Sequence, residues 1–193
     1  MIIEQAIYNG DFIHKRFAYK FFKKDTSPCG NIVAFIAPMY VTDNLIDLED
    51  SLSKDYIYSD IAINFCWEIP NLCPIGAVAF QRLLNNNIGS MISNLLNKPV
   101  VVEGDDIIVR DRFIGSDGEE RNSGKASVSI TYSQNNIAIG HTGINIRAGN
   151  RAPGFAYSTN IDGVRARILM ESVIDFFNTE MQDMFTATTK VIV

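Results

Sequence analysis

Two adjacent carboxylates, Asp105 and Asp106, follow Gly104 between the apolar runs 100–102 and 107–109, and Lys125 opens an alternating run that ends at Tyr132. Paired acids at a strand turn are a donor set that Mg²⁺ takes together with phosphate oxygens, and a nearby lysine is a point charge for a phosphate or carboxylate. Turn chemistry for Asp105 and a solvated strand end for Lys125 account for the same spacing, so both readings stand at this level. His141 lies downstream in the run 137–146, between Gly140 and Gly143, with Asn145 beyond. These positions make Lys125, Asp106 and His141 the candidate catalytic groups, and Asp105 with Asp106 the candidate magnesium ligands. Asp60, Asn64, Gly143 and Asn145 are the candidate substrate contacts, because the strands carrying them are expected to meet at one concavity.

The elements that must position these groups are legible from periodicity. Residues 57–68 alternate strictly, with Ile57, Ser59, Ile61, Ile63, Phe65 and Trp67 in one phase and Tyr58, Asp60, Ala62, Asn64, Cys66 and Glu68 in the other, which predicts a strand. Residues 31–40 form a buried-type strand with Pro38 near its end, and 1–8 a short strand, after which Asp11 caps a short helix carrying Phe12, Phe17 and Phe21. Five acids in 43–55 mark a turn or short helix. Pro74 opens a helix that runs to Lys98, weakened at Asn85, Asn86 and Asn87, and a second helix starts near Asp162 with Ile168, Leu169, Val173, Phe176, Phe177, Met181 and Met184 inward. Between the helices lies a meander. Gly104 and Asp105 make its first turn, and Ser127, Ser129, Thr131 and Ser133 give its next strand one hydroxyl-bearing face. In 137–146 the apolar phase changes between Gly140 and Gly143, which predicts a bulge. Together these elements predict one α+β domain over residues 1–193, a mixed, mainly antiparallel sheet backed by helices on one side.

Composition narrows the function classes. Hydrophobic residues at 47% and charged residues at 20% support a folded core, and a net charge of −5 disfavours nucleic acid as the main partner, since phosphate neutralisation needs a basic surface. The local exception is His14, Lys15, Arg16, Lys20, Lys23 and Lys24, interleaved with aromatics. It is read as the solvated face of an amphipathic helix or as a landing site for an anion. Three cysteines without C-x-x-C spacing suggest neither a disulfide framework nor a zinc site, and a Cys–His pair using His141 needs geometry that spacing does not supply. No apolar run is long enough to span a bilayer and no leader pattern opens the chain. The expectation is a cytoplasmic protein with no membrane partner, with homo-oligomerisation left open.

The ordered series Ala18–Tyr19, Ile32 to Phe35, Ile46 to Asp50, Gln81 to Leu84, Gly104–Asp105–Asp106, Lys125 to Ile130 and Gly143 to Ile146 resembles domain of unknown function family 366. The likeness spans about Tyr8 to Phe177. It implies the biotin/lipoate protein ligase-like fold, shared with the catalytic domains of class II aminoacyl-tRNA synthetases, but no settled activity. By likeness to the ligases, Lys125 would contact the carboxylate and α-phosphate of an acyl-adenylate, and Asp105 or Asp106 would lie near the metal. ATP and Mg²⁺ are the cofactors that this reading implies. The sequence departs from the ligases in having no glycine- and arginine-rich loop to cover an adenylate, and in an acidic insertion at 115–124. The leading expectation is an enzyme acting on a small-molecule carboxylate. The alternatives are a nucleotide-independent lyase, such as a decarboxylase of a heterocyclic, purine-like acid, and a non-catalytic binding or scaffold protein.

Overall fold

A computed structural model of the chain describes residues 1–23, 25–42, 52 and 56–190. Lys24 and the expected turn or helix over 43–55, with its acids, lie outside the described residues, Leu52 apart. The strands are β1 (Asn31–Val41), β2 (Ile57–Pro70), β3 (Val100–Glu103), β4 (Asp106–Val109), β5 (Phe113–Ile114), β6 (Glu120–Arg121), β7 (Gly124–Lys125), β8 (Ser127–Gln134) and β9 (Ile137–Arg147). The helices are α1 (Phe17–Phe22), α2 (Pro74–Leu96) and α3 (Gly163–Ala187). The main sheet has the order β1-β2-β9-β8 with antiparallel pairing throughout. A second sheet is β3-β4-β7, and β5 pairs with β6.

Both faces of the main sheet are covered, and this explains where the expected strand phases fail. On one face, Ile63, Phe65, Trp67, Ala138 and Ile144 pack under α2 and α3, against residues such as Phe80, Leu84, Val173 and Phe177. On the other, Val33, Phe35, Met39, Ala62 and Cys66 pack under Tyr8, Phe12, Ile13 and Phe17 of the N-terminal segment. A central strand buried on both faces has no reason to alternate apolar with polar. The phase change in β9 is therefore no bulge: its register runs unbroken from Ile137 to Ile144 against both β2 and β8. The irregularity lies further on, where Ile61 and Ala62 pair with Arg147 and Asn145. Gly140 is needed within the regular part, because a Cβ there would sit 2.2 Å from the Trp67 indole.

Pro74 opens α2 as expected, and the Asp162 carboxylate caps α3 by accepting from Arg165 N at 2.8 Å. Asn85, expected to weaken α2, is instead buried. Its amide donates to Asp105 O and Ser129 Oγ, and its Oδ1 accepts from Thr142 Oγ1 at 2.9 Å. Ser129 on the hydroxyl face of β8 thus makes the polar contact with α2, also accepting from Gln81 Nε2, while Ser127 accepts from Ile107 N in β4. Along α3, Leu169, Val173, Phe177 and Met181 point inward, whereas Ile168 and Met184 are exposed.

Residues 1–8 do not form a strand. They touch the edge of β1 through two isolated parallel bridges, Ile2 to Ala34 and Tyr8 to Met39. Asp11 caps nothing helical: α1 begins at Phe17, after Arg16 in the left-handed region with φ 61°. Phe12 and Phe17 are buried while Lys15, Lys20 and Lys23 are exposed, the amphipathic arrangement expected of the basic cluster.

Candidate functional site

The β3–β4 hairpin turns at Gly104, whose φ of +65° is open to glycine at no steric cost, and pairs Glu103 with Asp106. Asp106 and Ile108 lie in one phase of β4, and Lys125 pairs with Ile108, so lysine and acid share the face turned away from the buried Ile107 and Val109. Lys125 Nζ lies 2.6 Å from Asp106 Oδ1, with the two side chains 31% and 34% exposed. Asn145 adjoins this pair through its backbone, Asn145 N donating to Ala126 O at 2.8 Å. Its own carbonyl accepts from Thr159 Oγ1, and its side-chain Oδ1 is buried with no hydrogen-bond partner among the described residues. Lys125 and Asp106 are therefore brought together, and Asn145 is joined to their neighbour Ala126 through its backbone.

Asp105 contributes its backbone carbonyl to Asn85. Among the described residues, no group of three or more His, Cys, Asp and Glu side chains is placed to hold a metal ion. Asp106 is paired with Lys125, so a magnesium ion arriving with phosphate would compete with the lysine for it.

His141 and Asn64 lie elsewhere, wholly buried beneath the N-terminal segment. His141 Nε2 is 2.9 Å from Asn64 Oδ1, and the Tyr8 ring stacks on the imidazole at 3.8 Å between centroids. The Asn64 amide faces two carbonyls, Ala37 O and Ala62 O, so its Oδ1 is an acceptor and the histidine proton sits on Nε2. Burial lowers the His141 pKa to about 3, which keeps it neutral. The same burial pushes the Cys66 thiol up. Neither group meets solvent here, and a Cys–His nucleophile is not formed. Gly143 serves packing: a Cβ would come 2.5 Å from Met39 Sδ. Asp60 and Asn64, expected on one face, are separated by the Ile61/Ala62 irregularity. Asp60 points into a cavity that Asn64, His141, Asp105, Asp106 and Lys125 do not line.

That cavity, about 670 Å³, opens between the Asp60–Arg147 end of the sheet and the β5–β6 hairpin. Its first wall is a tyrosine–arginine group. The Tyr58 hydroxyl donates to Asp60 Oδ1 at 2.6 Å, Arg147 Nε lies 3.3 Å from Asp60 Oδ2, and the Arg151 guanidinium stacks 3.9 Å above the Tyr58 ring. Gly149, with φ +85°, leaves room for the Asp60 carboxylate. Opposite, Tyr157 donates to Asp111 Oδ2 at 2.8 Å, and Lys98 donates to both Tyr157 and Asp111. The Asp111 carboxylate raises the Lys98 pKa, and the ammonium lowers that of Asp111. The insertion 115–124 supplies the hairpin wall, pinned by Arg121 on Asp117, which lowers Asp117 to about 2. Lys98, Asp111 and Tyr157 are not in the expected site. A signal for the first two exists: extending the register that pairs Val100 with Val109 outward by two residues sets Lys98 opposite Asp111.

A family model described as Domain of unknown function (DUF366) matches residues 1–192. The chain belongs to this family. No curated protein matches the chain in sequence. Among solved structures, this DUF366 chain is similar over 100% of its length, at 22% identity and TM-score 0.80, to a protein of unknown function from Pyrococcus horikoshi, of which it covers 98%. It is also similar to a mutant biotin protein ligase from Aquifex aeolicus in complex with biotin, at 14% identity and TM-score 0.55, over 95% of this chain and 70% of that one. A third likeness is to the bi-partite lipoate protein ligase from Thermoplasma acidophilum, at 8% identity and TM-score 0.57, over 91% and 81%. The DUF366 chain thus has the biotin/lipoate ligase-like α+β fold, as its sequence motifs imply.

Proposed function

We propose that this DUF366 protein is an enzyme that binds a small carboxylic acid, with Lys125 as the cation that meets the carboxylate. The supporting observation is the partly exposed Lys125–Asp106 pair, on a fold of which one similar structure is described as a complex with biotin. An incoming carboxylate exchanges Asp106 for a second anion on the same ammonium. Lys125 then offsets negative charge developing at the reacting end of the acid. Asp106 returns the lysine to its resting position on release.

Two chemistries fit that arrangement. In the ligase-like one, ATP activates the acid as an acyl-adenylate and Lys125 steadies carboxylate and α-phosphate together. In the other, a heterocyclic, purine-like acid loses CO₂ without nucleotide, the ring carbon keeping the bonding pair and taking a proton from solvent. The second is favoured by one observation: the sequence has no glycine- and arginine-rich loop to cover an adenylate. The test is turnover of biotin-like, lipoate-like and purine-like acids with and without Mg–ATP, scored as pyrophosphate exchange and as CO₂ release, in the native chain and in Lys125→Ala. We expect one of the two products, and its fall by well over about tenfold in the variant. Turnover equal in both proteins would refute the role of Lys125, and binding without turnover would leave a binding protein.

A further inference from the structure

We infer that the 670 Å³ cavity at the Asp60–Arg147 end of the sheet is a separate binding site for a ring-bearing organic oxyanion, held by Arg151 and Arg147. The volume falls within the range of small-molecule sites, about 300–1,000 Å³. Its charges are not evenly matched. Lys98 is tied to Asp111 and Arg112 to Glu120, and Arg147 shares Asp60 at 3.3 Å with the Tyr58 hydroxyl. Among the described residues Arg151 makes no ion pair with a carboxylate; its guanidinium lies over the Tyr58 ring at 3.9 Å and the Tyr40 ring at 5.4 Å and hydrogen-bonds with the Tyr58 side chain.

A guanidinium carries five N–H donors, more than the Tyr58 side chain occupies, and those left over form the fork that grips a carboxylate or phosphate with two parallel hydrogen bonds. Stacking also fixes the group before the ligand arrives, so less freedom is lost on binding. Tyr56 adds to this fixing by donating to the Arg151 carbonyl at 3.1 Å. Arg147, with its side chain 62% exposed, supplies the second cation. For the body of the ligand the cavity offers Phe113 and Tyr157, in edge-to-face contact at 5.3 Å, and Ile114, which is 73% exposed at the mouth. Aromatic side chains lining the same cavity as a fixed guanidinium suit an oxyanion carried on an aromatic or heteroaromatic ring. Carboxylate and phosphate share this chemistry, and a pair of probes separates them.

The site is independent of Lys125, which does not line the cavity. The test is calorimetric titration of benzoate, phenyl phosphate and the uncharged benzyl alcohol into the native chain, Arg151→Ala, Arg151→Lys, Arg147→Gln and Lys125→Ala, each first checked for cooperative thermal unfolding. We expect one or both anions to bind and the alcohol not to. Arg151→Ala should lose at least about tenfold in affinity, and Arg151→Lys should recover only part of it, because a lysine keeps the charge without the fork. Arg147→Gln should weaken binding less, and carries the test if Arg151→Ala does not fold. Lys125→Ala should keep the binding event that Arg151→Ala loses; a separate event that it abolishes belongs to the Lys125 site. The proposal is overturned if neither anion binds at millimolar concentration, if both arginine variants bind unchanged, or if Lys125→Ala removes the binding instead.

Discussion

Burial holds His141 at a pKa of about 3, against about 6.5 for an unperturbed histidine, so it binds a proton in the unfolded chain well before it does so in the folded one. The sign follows: between about 6.5 and 3 the unfolded state carries more protons, and stability falls as pH falls, by about 1.4 kcal/mol per pH unit at most from this group. Glu68, whose pKa burial raises, acts in the opposite sense from the usual carboxylate value upward, so the histidine is isolated by difference. His141→Gln should flatten the slope of unfolding free energy between pH 6.5 and 4; an unchanged slope would show that the imidazole is not kept neutral. Lys125 and Asp106 were legible because a turn and a strand phase fix them. The burial of His141 was not, since a histidine between glycines reads alike in a pocket and under an N-terminal cover.

At the scale of elements, β9 carries the most specific steric requirement. A methyl group at Gly140 would meet the buried Trp67 ring at 2.2 Å, with atoms on every side and no slack to absorb it. Gly140→Ala should cost about 1–3 kcal/mol or more, read as a fall in denaturant midpoint at constant m-value. The Asp162 cap is a smaller matter: Asp162→Ala should cost about 1 kcal/mol, and Asp162→Asn much less. The helix starts were readable because Pro74 and Asp162 act locally. The phase of β9 and the turn of Asp60 away from Asn64 were not, because each depends on what covers the far face of the sheet and on one irregular pairing at Ile61/Ala62. The hydroxyl row of β8 was readable as a pattern. The partners of its Ser129, Asn85 and Gln81 of α2, became visible only with the fold.

For the whole molecule, the second covered face gives the N-terminal segment a structural role. It buries Val33, Phe35, Met39 and Cys66, and the Phe17 backbone N–H is held by the Glu68 carboxylate at 2.7 Å. Removing residues 1–22 exposes that face, and the expected outcome is self-association or loss of a cooperative transition in sedimentation and melting experiments; a monodisperse, two-state fragment would contradict it. Among the described residues no helix is long and apolar enough to cross a membrane. The central claim concerns Lys125, and the most direct measurement is the stabilisation of the folded chain by a panel of biotin-like, lipoate-like and purine-like acids, with and without Mg–ATP. At a concentration 100 times its dissociation constant the cognate acid should raise the unfolding free energy by about 2.7 kcal/mol in the native chain. Lys125→Ala, which gives up only a partly exposed ion pair and so should fold with nearly native stability, should show far less of that gain. Equal stabilisation of both proteins, or none of the native chain by any acid, would contradict the account.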